Sequence, residues 1–349
     1  MSNAFRTLLR KIGSGTHTGK NLTREEARDA TCMILTQEAT PAQIGAFMIA
    51  HRIKRPTSEE MAGMLDAYDR LGPQLEPIDF DLPVAILGSP YDGRSRTAPI
   101  SPLTALILAA SNCPTIMHGG DRMPTKEGVP LIDIWQALGV QWSQLSLTKV
   151  RNVLAETSLG FIYLPKHFPL AHDIVTYRDQ IGKRPPFATL ELMWSPYQGK
   201  SHSVCGFVHP PTEIVMREAF AMRGVELFTT VKGSEGSCDL PRGRVAIVGF
   251  GCDRAIFAAR DYGFTSNEVP LSPTEQLVTD IMAVLEGKPT ELSNSAIWNG
   301  GFYLYRFGLC ADIKEGIAIA TELLNNGKVL QKLQQIQRAV SLQADMVIT

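Results

Sequence analysis

The chain has 349 residues, of which 44% are hydrophobic and 20% are charged, so it can bury one large core or two moderate ones. This composition excludes an intrinsically disordered chain. Its 34 basic and 35 acidic residues give a net charge of −1, which excludes a strong overall attraction to nucleic acid or to a membrane, although a near-neutral protein can still carry a basic groove.

The six cysteines are scattered, with no CxxC pair and no Cys/His spacing typical of a metal site. They are typical of reduced thiols in an intracellular protein. The N-terminal stretch has no secretory apolar core, and no segment reaches the roughly 18 uninterrupted apolar residues of a membrane span. We therefore expect a cytoplasmic protein that does not contact the membrane.

The first seventy residues follow a helical pattern, and Gly13 and Gly15 end the first helix. Three threonines are each followed, three residues later, by Glu or Gln. A threonine at this spacing caps the helix while the longer side chain bonds back to the cap. The three pairs, which together predict a compact helical subdomain, are Thr23 with Glu26, Thr40 with Gln43, and Thr57 with Glu60.

After a linker that contains Pro73, Pro77 and Pro83, short apolar segments alternate with helical ones. This alternation predicts an α/β sheet, largely parallel, with functional loops at the carboxyl ends of its strands. The predicted strands are Val84–Leu87, Thr115–Met117, Phe161–Leu164, Val204–Val208, Val225–Val231 and Val245–Val248. A second helical insert is expected around Leu170–Ile181, and terminal helices over Gly316–Val340.

The loop after the first strand is the first candidate site. The strand ends at Gly88, Ser101 then opens a helix, and the loop between them carries Asp92, Arg94 and Arg96. Arginines beside a helix N-terminus favour a phosphate-bearing ligand. The alternative is a surface loop with solvated arginines.

The second predicted strand is followed by His118 and Gly119, with Arg122 and Lys126 a few residues further on. A histidine next to glycines can approach a carbonyl or a phosphate. A structural histidine beside a tight turn is the alternative.

The loop after Val225–Val231 carries Glu235 and Asp239, hard oxygen ligands that could hold Mg²⁺ bound to a diphosphate. They could equally be solvated loop carboxylates.

A further cation cluster consists of Arg178, Lys183 and Arg184. Such a cluster favours contact with a carboxylate or a phosphate, and the alternative is a solvated helix end. Walker A, G-x-S-x-G and complete dinucleotide-binding motifs are absent from the sequence.

Several segments occur in the order seen in one known family: the capped helical opening, the strand and loop at Val84, the turn at His118, the run from Gly160, and VKGSEGSCD from Val231. Over nearly its whole length the chain resembles the anthranilate phosphoribosyltransferase family, whose fold is similar to that of nucleoside phosphorylases and class II phosphoribosyltransferases. The resemblance implies a small helical domain (1–75 plus about 168–190) and a larger α/β domain (80–165 and 195–349) with a mainly parallel sheet. It also implies Mg²⁺-phosphoribosyl pyrophosphate and anthranilate as ligands, and a homodimer formed through the helical domain.

The chain departs from the family pattern at several motifs. The family's G-T-G-G-D loop corresponds to Gly88-Ser89-Pro90-Tyr91-Asp92, where Pro90 removes an N–H and Tyr91 adds bulk. N-x-S-T becomes Ala98–Ser101, and K-H-G-N becomes Met117–Gly120. The acidic pair that holds magnesium corresponds to Cys238-Asp239. Arg178 matches the arginine that meets the anthranilate carboxylate, and Glu191-Leu192 replaces the apolar wall of that pocket.

We therefore predict a divergent paralogue of the tryptophan-biosynthesis enzyme that binds phosphate-rich ligands in its interdomain cleft, nucleic acid first among them. The predicted contacts are Arg94, Arg96, Arg122, Lys126, Arg178, Lys183 and Arg184. One alternative is an active Mg²⁺-dependent phosphoribosyltransferase. It would bind Mg²⁺-phosphoribosyl pyrophosphate through Asp92, Ser101 and Asp239, while His118 and Arg178 orient anthranilate or another aromatic or nitrogenous acceptor. The other alternative is an inactive dimeric interaction protein. No organic cofactor is expected.

Overall fold

The computed structural model describes residues 3–15, 17–265 and 267–345. Its N-terminal region is a group of four helices. In the last three, the capping threonine accepts a bond from the third helical N–H, and the side chain at that position accepts one from the threonine N–H. The predicted helix starts are therefore confirmed for these helices. The four are α1 (Asn3–Gly13), α2 (Arg24–Leu35), α3 (Pro41–Lys54) and α4 (Ser58–Leu71).

Glu60 joins three parts of this helical group. Its buried carboxylate accepts hydrogen bonds from the backbone N–H of Leu22 at 2.8 Å and of Thr57 at 2.7 Å, and from Lys54 Nζ at 2.7 Å. Burial alone would raise the pKa of Glu60, but the contacts from His51 and Lys54 lower it to about 2. Glu60 thus completes the capping box of α4 and also bonds to Leu22 and Lys54 in neighbouring parts of the helical group.

The sheet has seven strands in the order β3-β2-β1-β4-β5-β6-β7. The first five strands in this order pair in parallel, and β6 and β7 add an antiparallel edge. The mainly parallel sheet is therefore confirmed. The strands are β1 (Val84–Leu87), β2 (Thr115–Gly119), β3 (Leu159–Tyr163), β4 (Ser201–Gly206), β5 (Phe228–Val231), β6 (Ala246–Phe250) and β7 (Asp253–Phe257).

β1 has the predicted bounds, the other five predicted strands begin or end one to three residues from theirs, and one further strand was not predicted. His118 and Gly119 lie inside β2, in register with Ile162 and Tyr163 of β3, and not in a turn after the strand. β7 was not predicted, because Asp253–Phe257 is an edge strand with charged and exposed positions and no apolar run. Gly249 lies in β6, and Gly251 lies in the turn that connects β6 to β7.

The remaining helices cover the sheet or connect its strands. The insert expected near Leu170 forms two short helices, and the C-terminal segment forms a pair of long ones. They are α5 (Ser101–Ala110), α6 (Leu131–Ala137), α7 (Leu147–Thr157), α8 (Leu164–His167), α9 (Pro169–Asp173), α10 (Val175–Ile181), α11 (Phe187–Met193), α12 (Pro210–Met222), α13 (Thr274–Leu285), α14 (Glu291–Arg306), α15 (Ile313–Asn325) and α16 (Lys328–Asp345).

The backbones of α14 and α15 touch at a pair of glycines. A Cβ added to Gly316 would lie 2.2 Å from the carbonyl oxygen of Gly301, and one added to Gly301 would lie 2.6 Å from the backbone nitrogen of Ile317. No side chain fits at either position, so glycine sets the spacing of these two helices.

The helical insert contacts the N-terminal helices. The Tyr177 hydroxyl donates to Gln37 Oε1 at 2.7 Å, and Arg52 Nη1 donates to the carbonyl oxygen of Arg184 at 2.8 Å. These contacts agree with grouping the insert near 168–190 with residues 1–75. The boundaries themselves stay a prediction.

Ion pairs join α4 to the end of α12. Arg223 Nε lies 3.0 Å from Asp66 Oδ1, and Arg24 binds both oxygens of the same carboxylate, with Nη2 2.9 Å from Oδ1 and Nε 2.5 Å from Oδ2. Arg24 Nη1 also donates to the carbonyl oxygen of Met222 at 2.8 Å. The two domains are thus joined at this side by charge-assisted hydrogen bonds.

None of the helices in the described ranges has the length and hydropathy that crossing a bilayer requires.

Candidate functional site

Three loops meet at the carboxyl edge of the parallel strands. The loop after β1 pairs with the loop after β2, since Gly128 N donates to the Asp92 carbonyl at 2.9 Å and Arg94 and Val129 form a backbone bridge. The loop after β5 joins them through Glu235, which bonds to residues 95–97. Parallel strands bring such loops together, as expected from the sequence.

Glu235 anchors the loop after β1. Its Oε1 accepts bonds from the backbone N–H of Arg96 at 3.0 Å and of Thr97 at 2.9 Å, while Lys126 Nζ lies 2.7 Å from its Oε2. Burial would raise the pKa of Glu235, but Lys126, Arg94 and the backbone donors lower it well below its usual range. The side chain is therefore a buried, fully ionised anchor.

Arg94 is buried between two acidic groups. Its Nη1 donates to Asp239 Oδ2 at 2.8 Å and to Ser237 Oγ at 2.6 Å, and its Nε lies 3.4 Å from Glu235 Oε1. The sequence interpretation expected Arg94 to be available to a phosphate. In the structure its guanidinium is directed inward, because two carboxylates surround it.

Asp239 takes the position where an anion was expected. The N–H of Ile100, just before α5, donates to Asp239 Oδ2 at 3.1 Å, so an internal carboxylate lies at this helix N-terminus. Burial raises the pKa of Asp239, although Arg94 opposes the rise. Ser101 is buried but does not act as the helix cap: Ile100 occupies the cap position, and Ser101 Oγ lies 3.5 Å from Ser89 Oγ.

Gly88, directly after β1, permits close packing. A Cβ on Gly88 would lie 2.4 Å from the carbonyl oxygen of Leu192, whereas one on Gly119, inside β2, would make an ordinary contact with the Phe161 ring at 3.5 Å. Gly88 therefore permits protein backbone, and not only ligand, to approach β1.

The loop around Asp239 is held by α14. Asn299 Oδ1 accepts a bond from Leu240 N at 2.7 Å, the Trp298 indole donates to the Pro241 carbonyl at 3.3 Å, and the Tyr303 hydroxyl donates to the Cys238 carbonyl at a short distance. The position of this loop thus depends on a helix far along the chain.

Two of the predicted cations lie next to buried carboxylates at the rim. Arg184 Nε lies 3.0 Å from Asp92 Oδ2, and Lys126 also donates to the Gly93 carbonyl at 2.7 Å. Burial lowers the pKa of Lys126, and the bond to Glu235 partly offsets that effect. Both side chains keep part of their surface in solvent.

Three further predicted cations are exposed. The Arg96 side chain is 77% exposed and its Nε lies 3.8 Å from Glu235 Oε2. Arg122 donates to the carbonyl of Glu127 at 2.8 Å and is half exposed, and Lys183 is also exposed. The rim of the loop cluster therefore has accessible positive charge.

His118 lies in a buried aromatic cluster. Its Nδ1 is 2.6 Å from the Tyr91 hydroxyl, and its ring packs edge-on against Trp194 with centroids 5.3 Å apart. Burial lowers the pKa of His118 to about 4, so the imidazole is neutral near pH 7. Tyr68, from α4, contacts the same Trp194 at 5.9 Å, which links the cluster to the helical domain.

Arg178 and Glu191 form a buried ion pair between α10 and α11, with side chains 1% and 3% exposed. Arg178 Nη1 also contacts Met123 Sδ at 3.3 Å. Burial lowers the pKa of Arg178 to about 10. The guanidinium predicted to meet a ligand carboxylate already has a protein carboxylate as its partner.

Sequence reasoning missed Tyr68, Trp194 and Ser237 as parts of this region. Tyr68 was one member of an amphipathic helix, and Trp194 follows a short helix with no motif around it. Ser237 stood within a recognised loop, but nothing in the sequence indicated that its hydroxyl would accept a bond from Arg94.

The predicted metal ligands do not form a metal centre among the described residues, where no group of three His, Cys, Asp or Glu side chains is arranged to hold an ion. Glu235 and Asp239 are joined instead by Arg94. This donor set does not fit magnesium, since the cations already placed there would repel it.

Two family models match the chain. The helical bundle domain of a glycosyl transferase family matches residues 6–72, and the a/b domain of a glycosyl transferase family matches residues 92–330. These matches cover the N-terminal helices and all of the sheet except β1.

Curated relatives match along almost the whole chain. Anthranilate phosphoribosyltransferase of Azorhizobium caulinodans is 27% identical over 353 residues, covering 98% of each chain. The Acetivibrio thermocellus protein of the same name is also 27% identical, covering 94% of this chain and 95% of its own.

Solved structures share the fold. Anthranilate phosphoribosyltransferase from Saccharomyces cerevisiae, solved in complex with PRPP and Mg, superposes with a TM-score of 0.86 at 18% identity, covering 98% of this chain and 99% of that one. The protein of the same name from Thermus thermophilus has a TM-score of 0.81 at 20% identity, with 97% and 100% covered. The helical domain and the α/β domain are thus arranged in this chain as they are in those proteins.

Proposed function

The chain belongs to the glycosyl transferase family with helical-bundle and a/b domains, and we propose that it binds a phosphate-bearing ligand at its loop cluster without using anthranilate as an acceptor. It is an anthranilate phosphoribosyltransferase-like protein. The observation that carries the second half of the proposal is the buried pair of Arg178 and Glu191.

An anthranilate carboxylate would have to displace Glu191 to reach Arg178. Leaving a buried charge without its partner costs about 3–5 kcal/mol. One charge-assisted hydrogen bond to the incoming carboxylate returns only about 1.5–3 kcal/mol. The exchange is unfavourable, so the acceptor pocket implied by the resemblance is closed to an aromatic carboxylate.

The loop cluster favours an anion of another kind. Four cations, Arg94, Arg96, Lys126 and Arg184, face three carboxylates, Asp92, Glu235 and Asp239, which leaves the cluster with an excess of one positive charge. Arg184, Lys126 and Arg96 keep surface in solvent, so a phosphate can reach them. Phosphoribosyl pyrophosphate is the ligand that the family relationship indicates, because the yeast relative was solved with PRPP.

Calorimetric titration with phosphoribosyl pyrophosphate tests the proposal. We expect binding that weakens about 10- to 100-fold in Arg184→Met, the loss of one charge-assisted contact. The neighbouring exposed Lys183→Met is the matched control and should change affinity less than about 2-fold. In a fluorescence assay with phosphoribosyl pyrophosphate, anthranilate should not be consumed, and its consumption would establish the ordinary transferase instead.

Nucleic acid is the competing phosphate-rich ligand. Of the seven cations predicted to contact it, Arg94 and Arg178 are buried in ion pairs and leave only the rim residues for a backbone. Titration with single-stranded oligonucleotides across a salt series distinguishes the two ligands, since binding to a phosphate backbone weakens steeply with salt.

Homodimer formation through the helical domain stays a prediction, and sedimentation analysis measures it directly.

A further inference from the structure

The oxygens of Glu235 have a complete set of donors. Oε1 accepts bonds from Arg96 N at 3.0 Å, Thr97 N at 2.9 Å and Thr97 Oγ1 at 2.9 Å. Oε2 lies 2.7 Å from Lys126 Nζ and 3.3 Å from both Ser95 N and Ser95 Oγ. A metal ion needs lone pairs, and here each oxygen is already surrounded by hydrogen-bond donors.

One carboxylate oxygen of Asp239 is hydrogen-bonded, and the cavity beside this residue is small. Oδ2 receives Arg94 Nη1 and Ile100 N, and Oδ1 has no partner among the described residues. The cavity on this part of the loop cluster, lined by Ser89, Ser101 and Asp239 among others, measures about 10 Å³. That volume is near the smallest that admits one water. Mg²⁺ keeps several waters of its own, so a hydrated ion does not fit.

We propose that Arg94 and Lys126 act as built-in counter-ions in place of a divalent metal, so that Glu235 and Asp239 bind no metal ion. Arg94 bridges both carboxylates, and Lys126 neutralises Glu235 from the rim. The inference concerns the protein without a ligand, so it holds or fails independently of the proposed function.

Mn²⁺ is the probe, because its free form is counted directly by electron paramagnetic resonance. We expect the wild-type protein to leave the free Mn²⁺ signal unchanged up to millimolar metal. Binding by the wild type that disappears in Asp239→Asn would overturn the proposal.

Removing the bridging cation should create a metal site. We expect Arg94→Ala to bind Mn²⁺ at least ~10-fold more tightly than the wild type, to gain melting temperature on adding Mn²⁺, and to lose both effects in Arg94→Ala/Asp239→Asn. Arg96→Met is the matched control, since it removes an equal charge from the same loop but from an exposed side chain 3.8 Å from Glu235. Arg96→Met should bind Mn²⁺ no more tightly than the wild type and should not gain melting temperature when Mn²⁺ is added.

Lys126→Met provides a second variant if Arg94→Ala does not fold, because the Lys126 side chain is 18% exposed and its loss leaves the buried bridge intact. It should bind Mn²⁺ more tightly than the wild type through Glu235, and Glu235→Gln should abolish the gain. Folded cation-removal variants that acquire no metal binding would show that Arg94 and Lys126 do not occupy a metal's place, and would overturn the inference.

Discussion

The carboxylate of Glu191 neutralises the guanidinium of Arg178 in the interior of the protein, where both side chains are shielded from water. The two residues are only 13 apart in the chain, and under the proposed function their pairing closes the position at which the family resemblance places a ligand carboxylate. The pair is therefore the natural first target for mutation.

Glu191→Gln should lower the free energy of unfolding by about 3–5 kcal/mol, because Arg178 would remain charged and unpaired in the interior. Urea denaturation measures the loss. Arg178→Met/Glu191→Leu should stay within about 1–2 kcal/mol of the wild type, since it removes both buried charges together. Asp29→Asn, which breaks an exposed pair with Arg28, is the control and should cost less than about 1 kcal/mol. A small loss in Glu191→Gln would mean that water reaches this pair.

His118 should make the protein less stable in mild acid. Its pKa is about 4 in the folded protein, against about 6.5 for an unperturbed histidine. Between these values the unfolded chain binds a proton that the native protein does not, so the stability present above pH 6.5 falls as the pH drops to about 4. His118 should contribute up to about 1.4 kcal/mol per pH unit to the slope.

Urea denaturation at a series of pH values measures this slope, which should decrease in His118→Asn. His209→Gln, at an exposed position, should leave it unchanged. An undiminished slope in His118→Asn would assign the acid sensitivity to other groups, such as His202, whose burial lowers its pKa to about 3.

Glu60→Gln should destabilise the helical domain. The substitution keeps the shape of the side chain but weakens the bonds to Leu22 N, Thr57 N and Lys54, so we expect a loss of about 1.5–3 kcal/mol. Circular dichroism during chemical unfolding reports it. The exposed neighbour Glu59→Gln should have less than half that effect, and equal effects would remove the special role of Glu60.

Asp66 and Arg223 should be energetically coupled across the domain boundary. A double-mutant cycle with Asp66→Asn and Arg223→Met is expected to give a coupling of about 0.5–1.5 kcal/mol, because Arg24 holds the same carboxylate in place. The exposed pair of Lys288 and Glu286 provides the comparison and should give close to zero. Zero coupling for Asp66 and Arg223 would mean that this ion pair does not fasten the two domains.

The local features of the fold could be predicted from the sequence. Capping boxes act over three residues, so Thr23, Thr40 and Thr57 marked their helices correctly. Apolar runs such as Val84–Leu87 identified the buried parallel strands, because a strand that is buried on both faces is apolar at successive positions. The edge strand Asp253–Phe257 was not predicted because it is largely exposed and forms by pairing with β6, and its own composition does not indicate a strand.

The partners of the site residues could not be predicted in the same way. Arg94 and Asp239 are 145 residues apart, and only the sheet topology brings them within 2.8 Å. From the sequence an arginine in a loop was equally consistent with a ligand contact and with solvent. The assignment of these side chains to a ligand site stays a prediction, and the charges that they neutralise within the protein became visible only in three dimensions.

The contact of Gly301 with Gly316 influences the loop cluster from outside it, because it sets the position of α14. Through Trp298, Asn299 and Tyr303, α14 holds residues 238–241, and its own position is fixed by backbone touching backbone. A methyl group added at either glycine would shift a rigid helix and, with it, the carboxylate that faces Arg94. Substitutions in the C-terminal helices are therefore expected to move Asp239 and to change how well these loops tolerate mutation, although those helices lie outside the loops themselves.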